Sequence, residues 1–133
     1  MNFVFTYLSV ATTFVAIDMI WLKTMAERLY RPVLGEILRP EPNLTAAAIF
    51  YLLYPLGLIG FAVLPANHEG SELRALTSGM MFGFFTYATY DLTNQATLRN
   101  WSTTLTIADI CWGSLLAGVS ASFGYYVAQR LGS

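Results

Sequence analysis

The fold class that the sequence predicts is all-α: an integral membrane four-helix bundle with a short amphipathic interfacial helix after the first span. Three observations carry it. Of the 133 residues, 56% are hydrophobic and only 11% charged, whereas an average soluble domain carries about 25% charged residues. Four long stretches are apolar, and each approaches the roughly 20 residues that a membrane helix needs. All five glutamates (Glu27, Glu36, Glu41, Glu69, Glu72) fall between those stretches. Lipid is therefore the expected solvent, and residues 1–133 read as one membrane domain.

The first stretch runs over roughly 3–22. No Lys or Arg precedes it, Asp18 interrupts it and no small-residue cleavage motif follows, so it is expected to be a retained span and not a secretory signal. After it, Met25, Leu29, Val33 and Ile37 recur every four residues, with Lys23, Glu27, Arg28, Arg31 and Glu36 on other faces. That pattern predicts a helix that leaves the membrane, breaks near Pro32 and continues along the interface. A functional lid and a plain amphipathic linker are equally good readings of it. Pro40-Glu41-Pro42 is expected to end this segment.

The second stretch, roughly 44–64, has Asn43 or Thr45 as its cap. Tyr54-Pro55 is expected to kink it, and Pro65 to end it, leaving His68 in a loop. The third, roughly 73–92, is short and requires Arg74 to snorkel. The fourth spans roughly 103–128. Gly79 and Gly83 form a GxxxG pattern, and Ser114, Gly118 and Ser122 a second small stripe. Both suit close helix packing, within one bundle or across a homodimer. Trp21 and Trp101 fit an aromatic belt.

Basic residues orient the spans. Lys23, Arg28, Arg31, Arg39 and Arg99 lie on one side, and Arg74 and Arg130 on the other. By the positive-inside rule the first and third connections are cytoplasmic and both termini periplasmic. A net charge of −1 gives no sign of nucleic-acid binding. The single Cys111 and single His68 exclude an intrachain disulfide and any multi-Cys or His-rich metal site. Cys111 is read as a packing residue.

The candidate site comes from the three aspartates. Asp18, Asp91 and Asp109 all fall inside or at the end of apolar stretches, where a carboxylate costs roughly 2.5–3.5 kcal/mol on insertion scales. Alternating helix direction brings all three to the cytoplasmic leaflet, at depths that agree within roughly 10 Å. Tyr51, Tyr54, Tyr87, Tyr90, Asn94 and Gln95 reach a similar level. Asp18-x-x-Trp21 and Asp109-x-x-Trp112 repeat one spacing on helices of opposite direction, by inverted duplication or by chance. The residues expected to bind ligand or couple protons are Asp18, Asp91, Asp109, Tyr54, Tyr90, Asn94, Trp21 and Trp112. Asp91 is expected to matter most, because it is placed near a helix C-terminus, where backbone carbonyls repel an anion. It is expected to be protonated when unliganded and to release its proton on binding.

The expected function is a polar pocket open to the cytoplasmic leaflet. It would bind or transport a cationic or amphipathic small molecule with proton coupling. The alternatives are a membrane-embedded enzyme acting on a lipid or apolar substrate, and a structural or assembly subunit. No cofactor is required and no metal site is assigned, although Mg²⁺ on the aspartates and Asn94 suits oxygen ligands. The expected partners are the bilayer, a small-molecule or lipid ligand and a second copy of the chain.

The motifs Asp18-x-x-Trp21-Leu22, Tyr90-Asp91-Leu92-Thr93-Asn94 followed by Ala96-Thr97-Leu98, and Asp109-x-x-Trp112-Gly113 give the chain a family resemblance. It resembles a bacterial family of four-span inner-membrane proteins catalogued as a domain of unknown function. The resemblance covers essentially the whole chain, with Gln95 standing where a more apolar residue is expected. It implies a bacterial inner-membrane setting, and it implies no activity, cofactor or catalytic residue.

Overall fold

A computed structural model describes residues 2–38, 41 and 43–132. Within them the protein is all-helical. Helix α1 (Phe3–Met25) starts at Asn2, whose side chain accepts from the Phe5 amide. It passes through a π-helical turn (Ala26–Tyr30) into α2 (Arg31–Leu34). Helix α3 (Leu44–Leu58), capped by Asn43, passes through a second π-turn (Ile59–Val63) into α4 (Leu64–Glu69). Helices α5 (Glu72–Thr97) and α6 (Thr103–Gly132) complete the chain. Arg39, Pro40 and Pro42, which enter the charge and helix-end arguments above, lie outside the described residues.

Three helical rods are long and apolar enough to cross a membrane: Phe3–Leu34, Leu44–Glu69 and Thr103–Leu131. The 26-residue α5 is also long enough, but Arg74 and its polar end from Asp91 onward make it less apolar. Large apolar side chains stay exposed along α1 and α3, among them Phe3, Leu8, Ile20, Ile49, Leu52 and Leu56. Such faces match a hydrocarbon solvent.

Several expected boundaries move, and proline explains two of them. The first rod does not break at Pro32, nor does the second end at Pro65. Each proline sits in the first turn of a short α-helix directly after a π-turn. Proline lacks an N–H and crowds the carbonyl four residues back. The π-turns shift the ladder there to bonds five residues apart, with the Arg31 amide donating to the Ala26 carbonyl and the Leu64 amide to the Ile59 carbonyl. His68 is therefore helical and not in a loop, and the rod ends at Gly70, whose φ of 65° is left-handed. At the other end of α5 the polar run stays helical to Thr97. The Thr93 hydroxyl donates to the Thr89 carbonyl and Thr97 to the Thr93 carbonyl. Asp91 is thus six residues inside the helix and not at the negative helix terminus that the sequence suggested, and Asp18 is mid-rod.

Helix α6 is the spine. It runs antiparallel to α1, with Val10 against Gly124 and Trp21 against Trp112. It also runs antiparallel to α5, where Leu76 and Met80 meet Gly118 while Gly83 meets Gly113 and Ala117. A Cβ at Gly79 would fall 2.8 Å from the Ala117 carbonyl oxygen and from Ala121 Cβ. The GxxxG pair therefore packs inside the chain. Its counterpart is Gly113, Ala117, Gly118 and Ala121; Gly118 of the second small stripe thus takes part, while the Ser114 hydroxyl donates to the Ile110 carbonyl. Gly113 also leaves room for the Tyr87 ring. The main core gathers Val10, Phe14, Leu58, Ile59, Val63 and Leu116.

Candidate functional site

The aspartates face inward at one end of the bundle, beside the connections that hold Arg28, Arg31 and Arg99. Asp18 from α1 accepts two hydrogen bonds: Tyr51 Oη donates to Oδ2 at 2.6 Å and Trp112 Nε1 to Oδ1 at 3.1 Å. Asp109 from α6 accepts from Tyr30 Oη at 2.5 Å. Tyr30 Oη itself accepts from Trp21 Nε1 at 2.8 Å. The Trp21 and Trp112 rings stack with centroids 4.4 Å apart and planes 8° from parallel. Each Asp-x-x-Trp unit thus serves the other: Trp112 binds Asp18 directly, and Trp21 reaches Asp109 through Tyr30. The network is built from neutral donors. Among the described residues the ion pairs are Arg31–Glu27 and Arg74–Glu69, both exposed, so neither Lys23 nor Arg99 pairs with an aspartate.

Beside this network lies a cavity of about 560 Å³, within the range of small-molecule sites. Six of its lining residues, Asp18, Leu22, Ala26, Tyr30, Leu34 and Leu38, recur every four positions along the first rod and beyond it. Phe50, Tyr51 and Tyr54 from α3 face them, with Thr86, Tyr87 and Tyr90 from α5. Trp101 and Asp109 complete the wall. Tyr54 Oη lies 2.8 Å from Thr86 Oγ1, and it acts as donor because the Thr86 hydroxyl donates to the Phe82 carbonyl. Among the described residues Asp18 and Asp109 are the only charged ones in the lining, each 6% exposed.

Of the residues singled out from sequence, Asp18, Asp109, Tyr54 and Tyr90 line the cavity, while Trp21 and Trp112 tie its carboxylates together from outside the lining. Asn94 is half-buried next to Tyr90 and does not line it. Asp91 is 0% exposed and lies behind the cavity, within hydrogen-bonding reach of Asp109. Among the described residues no group of three or more His, Cys, Asp or Glu converges on a metal-sized site, which leaves a Mg²⁺ on the three aspartates without a cage. Trp101 is not a belt residue. It is 8% exposed, packs with Leu34 and Leu105, and donates to Thr106 Oγ1 at 2.9 Å, as a buried indole must. Trp21 is likewise engaged within the protein.

Sequence reasoning missed Tyr30 altogether and left Tyr51 out of the predicted site. The signal for Tyr30 was the stripe of spacing four that begins at Asp18. The stripe taken from the sequence, Met25, Leu29, Val33 and Ile37, is its neighbour, one residue out of step.

No curated protein and no solved structure matches the chain. A family model described as predicted membrane protein (DUF2177) matches residues 3–126. That match embraces the three candidate spans nearly to their ends and every residue of the carboxylate network and the cavity wall. The chain therefore belongs to this family of membrane proteins of unknown function.

Proposed function

We propose that the cavity binds a lipophilic organic cation taken from the cytoplasmic leaflet, and that the protein carries such cations through the membrane. One observation supports this above all. Among the described residues, the cavity wall combines two carboxylates with aromatic and aliphatic surface and presents no Lys, Arg or His. An anion would be repelled by the carboxylates, and a neutral ligand would gain at most hydrogen bonds of the kind that tyrosine and tryptophan already supply. A cation gains their field and the faces of the surrounding rings, each contact worth about 0.5–2 kcal/mol depending on desolvation. The carboxylates already accept from phenol and indole donors, and a primary ammonium must give up a tight hydration shell to enter. A bulky cation with delocalised or shielded charge has little hydration to lose and suits the site better. An acid–base enzyme would use Asp109 as base and Asp91 or Asp18 as acid, and of these Asp91 stands outside the cavity lining.

Tetraphenylphosphonium and its isosteric anion tetraphenylborate separate charge recognition from greasy partitioning. The purified protein in detergent should bind the phosphonium saturably, with a change in tryptophan fluorescence, since Trp21 and Trp112 hold the carboxylate network. The borate should not saturate. Equal responses to the two ions, or none to either, would overturn the cation reading.

The cytoplasmic assignment has its own test. Lys23, Arg28, Arg31 and Arg99 flank the cavity end of the bundle, and Arg74 and Arg130 the far end. A cysteine placed at Gly35 should react with a membrane-impermeant maleimide only from the cytoplasmic side, and one at Ser71 only from the outside. The reverse pattern would turn the cavity outward.

A further inference from the structure

We propose that Asp91 and Asp109 share one resident proton behind the cavity, and that a cation entering beside Asp109 displaces it. The second clause rests on the cation-binding reading above; the first stands independently of it.

Asp91 is the most completely buried of the three aspartates, 0% exposed against 6% for Asp18 and for Asp109. Neither of its carboxyl oxygens meets a hydrogen-bond donor. One turn further along the same face of α5, Gln95 Oε1 is buried without a donor as well, because the Gln95 amide nitrogen is directed to Thr103 Oγ1 at 2.9 Å. The partner that Asp91 does face is the carboxyl of Asp109. Written as two carboxylates, this contact is acceptor against acceptor. With a proton on either oxygen it becomes a hydrogen bond.

The other titratable groups around the pair leave no substitute for that proton. Tyr90 adjoins Asp91 on α5 and lies near both carboxyls. Tyr30 donates to Asp109 from the π-turn, and Asp18 stands across the cavity on α1. All are neutral or anionic, and among the described residues no Lys, Arg or His lines the cavity. An unpaired carboxylate in such a place costs several kcal/mol, and two in contact repel strongly. One proton removes one charge and joins the two groups.

Asp109 gives the pair a route to the cavity. Its Oδ1 accepts from Tyr30 in the cavity wall while its carboxyl reaches Asp91 on the other side. When a monovalent cation arrives, the O–H bond of the acid breaks. The proton leaves through the cavity to water, and the electron pair stays on the carboxylate. One positive charge enters and one departs, so the net charge of the site is unchanged. Exchange of this kind is what a carrier of cations against protons requires.

Infrared spectroscopy reads the proton directly. In the absence of ligand the parent should show a protonated-carboxyl carbonyl band that shifts on transfer to D₂O. The band should persist in Asp18→Asn and be absent from Asp91→Asn. On saturation with tetraphenylphosphonium it should disappear from the parent, with about one proton released per bound cation to a pH-indicator dye. Should Asp91→Asn not fold, the isotope shift and the ligand-induced loss in the parent carry the test. Absence of the band from the unliganded parent, or its survival in Asp91→Asn, would overturn the shared proton. So would a carboxylate spectrum that responds to Na⁺ and not to K⁺, which would place a metal ion between the two. If the band behaves as expected and the phosphonium does not bind, the resident proton stands and the displacement falls together with the cation reading. Binding that leaves the band intact would overturn displacement alone.

Discussion

Gly83→Leu is expected to prevent the bundle from forming. A Cβ at this position would sit 2.7 Å from Ala117 Cβ and collide with the Gly113 carbonyl. A methyl on the facing helix and a backbone oxygen are not free to move aside, so α5 and α6 would have to separate. Overpacking a core typically costs about 1–3 kcal/mol. The cost here should sit at or above the top of that range, because close backbone approach is itself a main source of helix association in lipid. The damage would spread to the cavity: one turn beyond Gly83, Tyr87 packs on Gly113 and Thr86 binds Tyr54. Gly60 supplies the control, since an added Cβ there meets nothing within 4 Å. Gly60→Ala should be neutral or stabilising by about 0.5–1 kcal/mol, as a helical glycine exchanged for alanine. Refolding from denaturant into detergent, followed by circular dichroism and gel filtration, should return Gly60→Ala and lose Gly83→Leu. A Gly83→Leu protein with parent-like unfolding would mean that α5 and α6 do not meet through this glycine.

The parts of the fold that were legible in the sequence are those set by solvent and by helix direction. Long apolar stretches name the membrane rods, and their alternation brings Asp18 and Asp109 to one end. Capping was legible for the same local reason: Asn43 accepts from the Ala46 amide as its position suggests. Helix continuity was not. Pro32 and Pro65 look like terminators when only their own geometry is considered, and the π-turns that accommodate them have no mark in residue type. Tyr30 precedes Pro32 on the same rod as Asp18, but only the stripe of spacing four that begins at Asp18 reveals its face, and Met25, Leu29, Val33 and Ile37 point one residue aside. The polar end of α5 misled for a related reason. Thr93, Asn94 and Gln95 look like the exit from a helix, whereas the Thr93 and Thr97 hydroxyls are satisfied by carbonyls of the preceding turn and the segment stays helical. Asp91 was thereby given a helix terminus it does not have. Its burial against Asp109 depends on how closely α5 and α6 approach, which no spacing within either helix reveals.

Asp18→Asn is expected to weaken binding of the phosphonium by roughly thirty-fold to a few thousand-fold, the equivalent of about 2–5 kcal/mol for a charge partner lost from a desolvated site. The wide range reflects the effective dielectric of the cavity. At an effective constant of about 20, a unit charge 4 Å away contributes roughly 4 kcal/mol, and nearer to water about 1. Asp18 is a cleaner choice than Asp109, because removing Asp109 also takes the partner from Asp91 and changes two groups together. Asparagine keeps the size of the side chain and one acceptor oxygen. Its amide nitrogen must then face either Tyr51 Oη or Trp112 Nε1, both of which donate to Asp18. One of these bonds is lost, at a typical cost of about 0.5–1.5 kcal/mol in stability and up to about 3 if the orphaned donor stays dry. Tyr51→Phe removes a donor while leaving the charge. It should lower stability by a similar amount and alter phosphonium affinity less than ten-fold. The two variants together separate the field of the carboxylate from the scaffold that holds it. If Asp18→Asn and Tyr51→Phe both lose stability while each binds the phosphonium like the parent, the carboxylate is a fastener between α1, α3 and α6 and the cavity does not select by charge. If Asp18→Asn alone loses affinity, and still discriminates poorly between phosphonium and borate, the second carboxylate cannot sustain the selectivity and both are needed for the site to work.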